Sequence, residues 1–193
     1  IFNGGNDSGC IVTAGTGSGK TLCFYLPALL ELSNLVRADE YWTKALAIYP
    51  RTELLKDQFS EAYRLARRLD TSLQQAKRRP LQLGALFGAT PNQANEQALQ
   101  NAGWLRRGKH YICPFLPCPR CDGDLLWRQE DLAVKREQLC CERTGCGGKV
   151  STDQIRLTRT SLLQNPPDLL FTTTEMLNRR LADTQWCKVL GAG

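Results

Sequence analysis

Short apolar runs alternate with longer stretches in which apolar residues recur every three or four positions. The runs fall at residues 11–13 (Ile-Val-Thr), 45–49 (Ala-Leu-Ala-Ile-Tyr), 81–87 and 169–172 (Leu-Leu-Phe-Thr). They are too short for helices and are apolar on both faces, which predicts parallel strands covered by helices. Behind the first run, Leu22, Leu26, Leu29 and Leu30 form one stripe of a helix that Pro27 should kink. A second helix over 52–69 places Leu55, Phe59, Ala62, Tyr63, Ala66 and Leu69 on one face and Lys56, Arg64, Arg67 and Arg68 on another. Further helices are predicted over 92–101 and 175–182. Strand–helix alternation implies right-handed crossovers, a parallel sheet, and ligands at the carboxyl edge of the strands.

The segment 104–160 breaks this rhythm. It is rich in Cys, Pro, Gly and Arg, lacks a long apolar period, and reads as an insertion between the third and fourth strands. The predicted domains are therefore a mostly parallel α/β unit over 1–103 and 161–193, with a small cysteine-rich unit over 104–160.

Directly after the first run stands Ala14-Gly15-Thr16-Gly17-Ser18-Gly19-Lys20-Thr21. Three glycines in five positions let the backbone turn tightly and aim successive N–H groups at a polyphosphate. Lys20 can reach the β- and γ-phosphates, and the Thr21 hydroxyl can complete a Mg²⁺ shell. Gly15, Thr16, Gly17, Ser18, Gly19, Lys20 and Thr21 are the predicted ATP·Mg²⁺ ligands.

The cysteines supply a second chemistry. Cys118-Pro-Arg-Cys121 and Cys141-Glu-Arg-Thr-Gly-Cys146 are two close pairs on glycine-relaxed turns, with nineteen residues between them. Four thiolates in two pairs can close a tetrahedron around Zn²⁺ and staple a segment with too little core to fold alone. Cys113, Cys140 or His110 could replace one member, whereas Cys10, Cys23 and Cys187 suit ordinary apolar packing. Four thiolates leave no open coordination position, which argues against a catalytic zinc. Arg106, Arg107, Lys109, Arg120, Arg128 and Arg143 give the segment basic character, and Trp104 and Trp127 are candidates for stacking bases or for the core.

Composition narrows the setting. With 42% apolar and 23% charged residues the 193-residue chain suits a globular α/β domain, and a net charge of +6 suits an anionic partner. No apolar stretch approaches the roughly 20 residues needed to span a bilayer. Nine cysteines beside a phosphate loop favour metal ligation or free thiols in the cytoplasm over disulfides. Ile1 at the start and Gly193 at the end suggest a piece of a longer protein.

The order of these motifs resembles the N-terminal RecA-like domain of superfamily 2 helicases of the DEAD/DEAH-box type. Residues 14–21 resemble motif I, and Leu22-Cys23-Phe24-Tyr25-Leu26-Pro27 resembles the helix that follows it. Tyr49-Pro50-Arg51-Thr52-Glu53-Leu54 resembles motif Ia in a shuffled order, and Phe87-Gly88-Ala89-Thr90-Pro91 the glycine-rich turn after the third strand. Thr172-Thr173-Thr174-Glu175-Met176-Leu177 resembles motif Ib, with Thr174 where Pro is common. Within that superfamily the nearest flavour is the YprA/Lhr-like group, which includes large anti-phage defence helicases with a cysteine-rich insertion.

The resemblance implies an ATP-dependent motor that grips a single-stranded nucleic acid, DNA ahead of RNA. The implied contacts are Pro50, Arg51, Thr52, Gly88, Thr90, Thr172, Thr173 and Thr174, whose small residues and hydroxyls suit phosphates rather than bases, with Arg51 a phosphate contact or a solvated charge. The family also hydrolyses ATP with an Asp-Glu pair after a further strand, and no such dipeptide follows an apolar run here. Asp39-Glu40 and Glu130-Asp131 lie elsewhere, and neither Asp168 nor Glu175 suits the role. Alone, the chain is expected to bind nucleotide without turning it over, its catalytic residues and second RecA-like domain lying in the rest of the helicase. The competing reading is a zinc-ribbon module for nucleic acid or protein, with the nucleotide loop as scaffold.

Overall fold

The computed structural model describes residues 20–191. The run at 11–13 and the loop residues Gly15, Thr16, Gly17, Ser18 and Gly19 lie outside the described residues. In chain order the elements are α1 (Lys20–Leu35), β1 (Ala45–Tyr49), α2 (Thr52–Arg67), α3 (Asp70–Gln75), β2 (Leu83–Leu86) and α4 (Glu96–Asn101). Five short strands follow, β3 (Arg106–Arg107), β4 (His110–Ile112), β5 (Leu125–Trp127), β6 (Leu139–Cys141) and β7 (Lys149–Val150), with α5 (Gln129–Ala133) between the third and fourth of them. The chain closes with β8 (Ile155–Arg156), α6 (Arg159–Gln164), β9 (Leu169–Thr173), α7 (Thr174–Arg180) and α8 (Thr184–Val189).

Four strands form a wholly parallel sheet in the order β1-β9-β2-β8. Because strand side chains alternate between faces, the central strand β9 serves two cores at once. Leu169 and Phe171 join Leu55, Phe59, Ala62, Tyr63 and Leu83 on the α1/α2 side, while Leu170 joins Leu86, Leu162, Met176, Trp186 and Val189 on the α6–α8 side. Helices thus cover both faces, as expected of a RecA-like domain. The predicted strand over 81–87 narrows to Leu83–Leu86, and β8 adds a strand that its two-residue length concealed.

Helix α2 follows its predicted stripe, with Leu55, Phe59, Ala62, Tyr63 and Ala66 buried. Glu53 in its first turn and Arg64 and Arg67 in its last complement the helix dipole. Helix α1 differs from expectation. Leu29 is buried, but Leu22, Leu26 and Leu30 are exposed, and the inward stripe is Tyr25, Leu29, Leu32 and Val36. Apolar residues surround this helix, so periodicity allowed two stripes and packing against α2 and β9 selected one. Helix α4 begins at Glu96 rather than 92 because Asn95 caps it, its side-chain oxygen accepting from the Ala98 N–H at 2.8 Å. The preceding carbonyls of Pro91 and Asn92 accept instead from the N–H groups of Arg159 and Thr160.

The segment predicted as an insertion forms a five-stranded antiparallel sheet in the order β3-β4-β5-β6-β7. It ends at Val150, and the chain rejoins the parallel sheet at Ile155, ahead of the expected boundary at 160. Its core is not separate. Rings run from Trp127 to Trp104 (5.6 Å), Phe115 (5.9 Å), Phe59 (5.6 Å) and Phe171 (5.1 Å).

At the amino edge of the sheet, Asp168 is buried and accepts from Lys44 Nζ at 2.8 Å, from both Arg79 terminal nitrogens at 2.6 and 2.8 Å, and from the Gln82 N–H at 2.8 Å. This network ties the approach to β1, the approach to β2 and the start of β9 together. A carboxylate so fully engaged, on the edge opposite the strand carboxyl ends, is a structural clamp.

Candidate functional site

The pairings Tyr49↔Thr173 and Leu86↔Thr172 bring the carboxyl ends of β1, β9 and β2 to one edge. Pro50 and Arg51 are exposed there, Thr52 is half-buried at the start of α2, and Gly88 and Thr174 are exposed after their strands. Arg51 occupies the N-cap position of α2 without a side-chain cap bond, so its guanidinium is not committed to its own helix.

Three of the predicted nucleic-acid contacts are used internally. Thr172 is fully buried, and its hydroxyl donates to the Leu86 carbonyl at 2.9 Å. Thr90 is buried in the turn after β2, donating to the Ala85 carbonyl at 2.6 Å and accepting from the Phe87 N–H at 3.0 Å. The Thr173 hydroxyl caps α7 by accepting from the Met176 N–H at 3.2 Å. These hydroxyls shape the edge rather than face a ligand. Lys20 opens α1 and Thr21 is half-buried in its first turn.

The second site lies in the antiparallel sheet. The sulfurs of Cys118, Cys121, Cys141 and Cys146 all lie within 4.8 Å of one another. Cys118 and Cys146 are 3.6 Å apart and Cys121 and Cys141 are 3.5 Å apart, with all four cysteines free. A tetrahedral ion with metal–sulfur bonds of about 2.3 Å sets ligand sulfurs about 3.8 Å apart. The spacing therefore fits a single four-coordinate ion.

Two matching turns build the cluster. In the first, the Cys118 N–H donates to the Gly123 carbonyl at 2.8 Å and Asp122 takes a left-handed φ of 57°. In the second, the Cys141 N–H donates to the Gly148 carbonyl at 2.8 Å, while the Arg143 N–H points at the Cys141 sulfur at 3.4 Å. Gly145 and Gly147 supply the positive φ values, 82° and 61°, that close this turn. Gly148 has a separate reason: a Cβ there would collide with the Cys118 sulfur. The fold clears space for the thiols themselves.

Their acidities are uneven. The Gly123 backbone N–H holds Cys121 down to about 7, whereas burial pushes Cys141 up to about 12 and the hydrogen bond with Cys121 pushes Cys146 upward. One thiolate thus forms near neutrality, and a bound cation would displace the remaining protons. Arg143 donates to the Cys121 carbonyl at 3.0 Å and Arg120 approaches the Cys146 carbonyl at 3.4 Å, placing two cations around a site that would carry excess negative charge.

The alternative ligands fall away. Cys113 is buried elsewhere, against Phe115, and burial pushes its thiol up to about 12. Cys140 alternates to the opposite face of β6 and accepts from Gln138, and His110 Nδ1 accepts from the Gln129 N–H. Trp104 and Trp127 are buried, their indole N–H groups donating to the Ala89 and Arg136 carbonyls at 2.8 and 2.9 Å, so neither is open to a base. Of the basic residues, Arg107 pairs with Asp124 and Glu142, while Arg106, Lys109 and Arg128 are exposed.

Glu137 carries a role that no sequence signal announced. It is buried where the antiparallel sheet meets α6, accepting from the Leu157 N–H at 2.8 Å, the Thr158 hydroxyl at 2.6 Å and the Ser161 hydroxyl at 2.9 Å. It locks the return of the chain into the parallel sheet.

A parallel sheet covered on both faces, with loops gathered at the carboxyl edge and a cluster of four cysteines alongside, defines a RecA-like α/β domain with a cysteine-rich appendage. The DEAD/DEAH box helicase family model matches residues 3–105, over half of the chain, and the chain belongs to that family. No curated protein and no solved structure matches it. Membership makes this a helicase-type ATP-binding domain, in a family that uses ATP with Mg²⁺ and binds nucleic acid. Among the described residues, no helix is long and apolar enough to cross a membrane.

Proposed function

We propose that the chain is the nucleotide-binding RecA-like half of a helicase-type motor that tracks along single-stranded nucleic acid, DNA ahead of RNA, in the cytoplasm. Gly15, Thr16, Gly17, Ser18, Gly19, Lys20 and Thr21 would hold the ATP phosphates and Mg²⁺. Pro50, Arg51, Thr52, Gly88 and Thr174 would meet the nucleic-acid backbone, and Thr90, Thr172 and Thr173 would hold the loops that present them. The observation that carries this reading is the register of β1, β9 and β2, which gathers three motif-bearing loops on one edge of the sheet.

Cys118, Cys121, Cys141 and Cys146 would hold one structural Zn²⁺, an ion whose tetrahedral preference matches the sulfur spacing. The natural division is a RecA-like unit interrupted by a zinc-binding segment within 104–160. That segment supports placement in the YprA/Lhr-like group, whose larger members act in anti-phage defence. Hydrolysis needs metal-bound carboxylates and arginine fingers that these 193 residues do not supply, so the chain alone would bind ATP without turnover.

The test is nucleotide binding with a fluorescent ATP analogue, alongside anisotropy of a labelled single strand. Lys20→Ala should abolish nucleotide binding, and Arg51→Ala should weaken the strand by a few-fold with a shallower salt dependence. Nucleotide affinity unchanged in Lys20→Ala would refute the motor reading. Strand binding unaffected by Arg51→Ala but lost on chelation would favour the zinc-ribbon module.

A further inference from the structure

Arg159 opens α6 where the chain leaves β8, and none of the ion pairs among the described residues includes it. Gly84 pairs with Arg156 in parallel register, so Arg159 stands just beyond the carboxyl end of β8 as Gly88 stands just beyond that of β2. Two backbone bonds fix it there: its own N–H donates to the Pro91 carbonyl at 2.9 Å, and the Thr160 N–H to that of Asn92 at 3.1 Å. A capping box between Thr158 and Ser161 sets the start of the helix.

The guanidinium is under-satisfied. Its Nε is buried with no hydrogen-bond partner, and one terminal nitrogen meets the Phe87 carbonyl only at 3.5 Å. Burial pushes its pKa down, and the like charge of Arg180 pushes the same way. Arg180 has its own partners in Asp183 at 3.4 Å and the Trp186 ring. Arg159 lines a cleft of about 180 Å³ together with Gly88, Asn92 and Asn101, and no acidic side chain lines it. The Asn101 side-chain oxygen accepts from Gln97 at 3.0 Å, which leaves its N–H groups for a ligand. A Cβ at Gly88 would meet nothing within 4 Å, so the approach to the cleft is open.

We propose that Arg159 is a further contact for the phosphate backbone of a single-stranded nucleic acid, extending the strand's path across the end of β8. The sheet order β1-β9-β2-β8 sets the loops of Arg51, Thr174, Gly88 and Arg159 in one row, three strand spacings or roughly 14 Å wide. The assignment deepens the proposed function and rests on its reading of the carboxyl edge. A guanidinium grips phosphate by paired N–H···O bonds stronger than neutral ones, and the phosphate supplies the negative charge that Arg159 lacks.

The test is anisotropy of a labelled single strand with the full, metal-loaded chain at several salt concentrations. Arg159→Gln should weaken binding about tenfold and flatten the slope of log affinity against log salt by about 0.7. Arg159→Lys should keep the slope while losing part of the affinity, because the charge stays and the planar fork goes. Strands carrying one neutral methylphosphonate at successive positions give the direct readout. One position should weaken the parent chain yet leave Arg159→Gln no weaker, which a purely structural role would not produce. A parent chain that binds no strand would overturn the proposal together with the motor reading. Strand affinity and salt slope indifferent to Arg159→Gln, even if inorganic phosphate occupies the cleft, would overturn the proposal alone. So would methylphosphonate penalties equal in parent and variant at every position.

Discussion

Phe115, from the loop leading into the first cysteine pair, packs edge-on against Phe59 of α2 with ring centroids 5.6 Å apart. It also meets Phe87 at 5.4 Å, just past the end of β2. The cysteine-rich segment is therefore anchored in the core of the parallel sheet by one aromatic plug. Phe115→Ala should lower the free energy of unfolding by about 3–5 kcal/mol. Urea unfolding followed by tryptophan fluorescence and by far-UV circular dichroism should give one coincident transition in the parent chain. Two separated transitions would show that the antiparallel sheet folds by itself.

Asp168 holds two cations at once, and the side chain of Lys44 is as buried as its own. Asp168→Asn would leave Lys44 and Arg79 charged and uncompensated in the interior. The expected loss is about 3–5 kcal/mol, measurable by chemical denaturation at neutral pH. A change below 1 kcal/mol would mean that water reaches this corner.

Gly148 touches the Cys118 sulfur where any side chain would stand. Gly148→Ala should weaken metal binding at least about tenfold in competition with a chromophoric chelator, since the thiols must then spread. Gly88→Ala, where a Cβ would meet open space, should leave metal affinity unchanged.

Burial pushes the Cys113 thiol from 9.0 to about 12. Above pH 9 the unfolded thiol releases its proton while the folded one keeps it, so rising pH favours the unfolded chain. The stability contributed by the protonated group is complete below pH 9 and lost as pH rises towards 12. Relative to Cys113→Ala, the parent chain should lose about 1.4 kcal/mol per pH unit across that window. At pH 8 the exposed Cys23 should alkylate readily and Cys113 should not, as peptide mapping would reveal.

Legibility followed how far each decision reached along the chain. The stripe of α2 was readable because apolar and basic residues separate cleanly on its two faces. That of α1 was not, because Leu22, Leu26 and Leu30 make as good a row as Tyr25, Leu29 and Leu32, and only the sheet distinguishes them. Strand β8 leaves no pattern in the sequence because two residues carry no period. The threonines at the strand ends were visible as a motif, and the engagement of Thr173 with Met176 is local, but that of the Thr172 hydroxyl depends on the Leu86 carbonyl, 86 positions away.

Local chemistry was written in the chain itself. The glycine-lysine-threonine loop, the two spaced cysteine pairs and the apolar runs each state what a few adjacent residues can do, since spacing along a backbone of fixed geometry sets which atoms can converge. Folding decided the rest: that Cys118, Cys121, Cys141 and Cys146 meet while Cys113 and Cys140 do not, and that Glu137 is buried among the donors of Leu157, Thr158 and Ser161. Those outcomes arise where strands distant in sequence pair and pack, and burial belongs to the assembled core rather than to any one stretch of it.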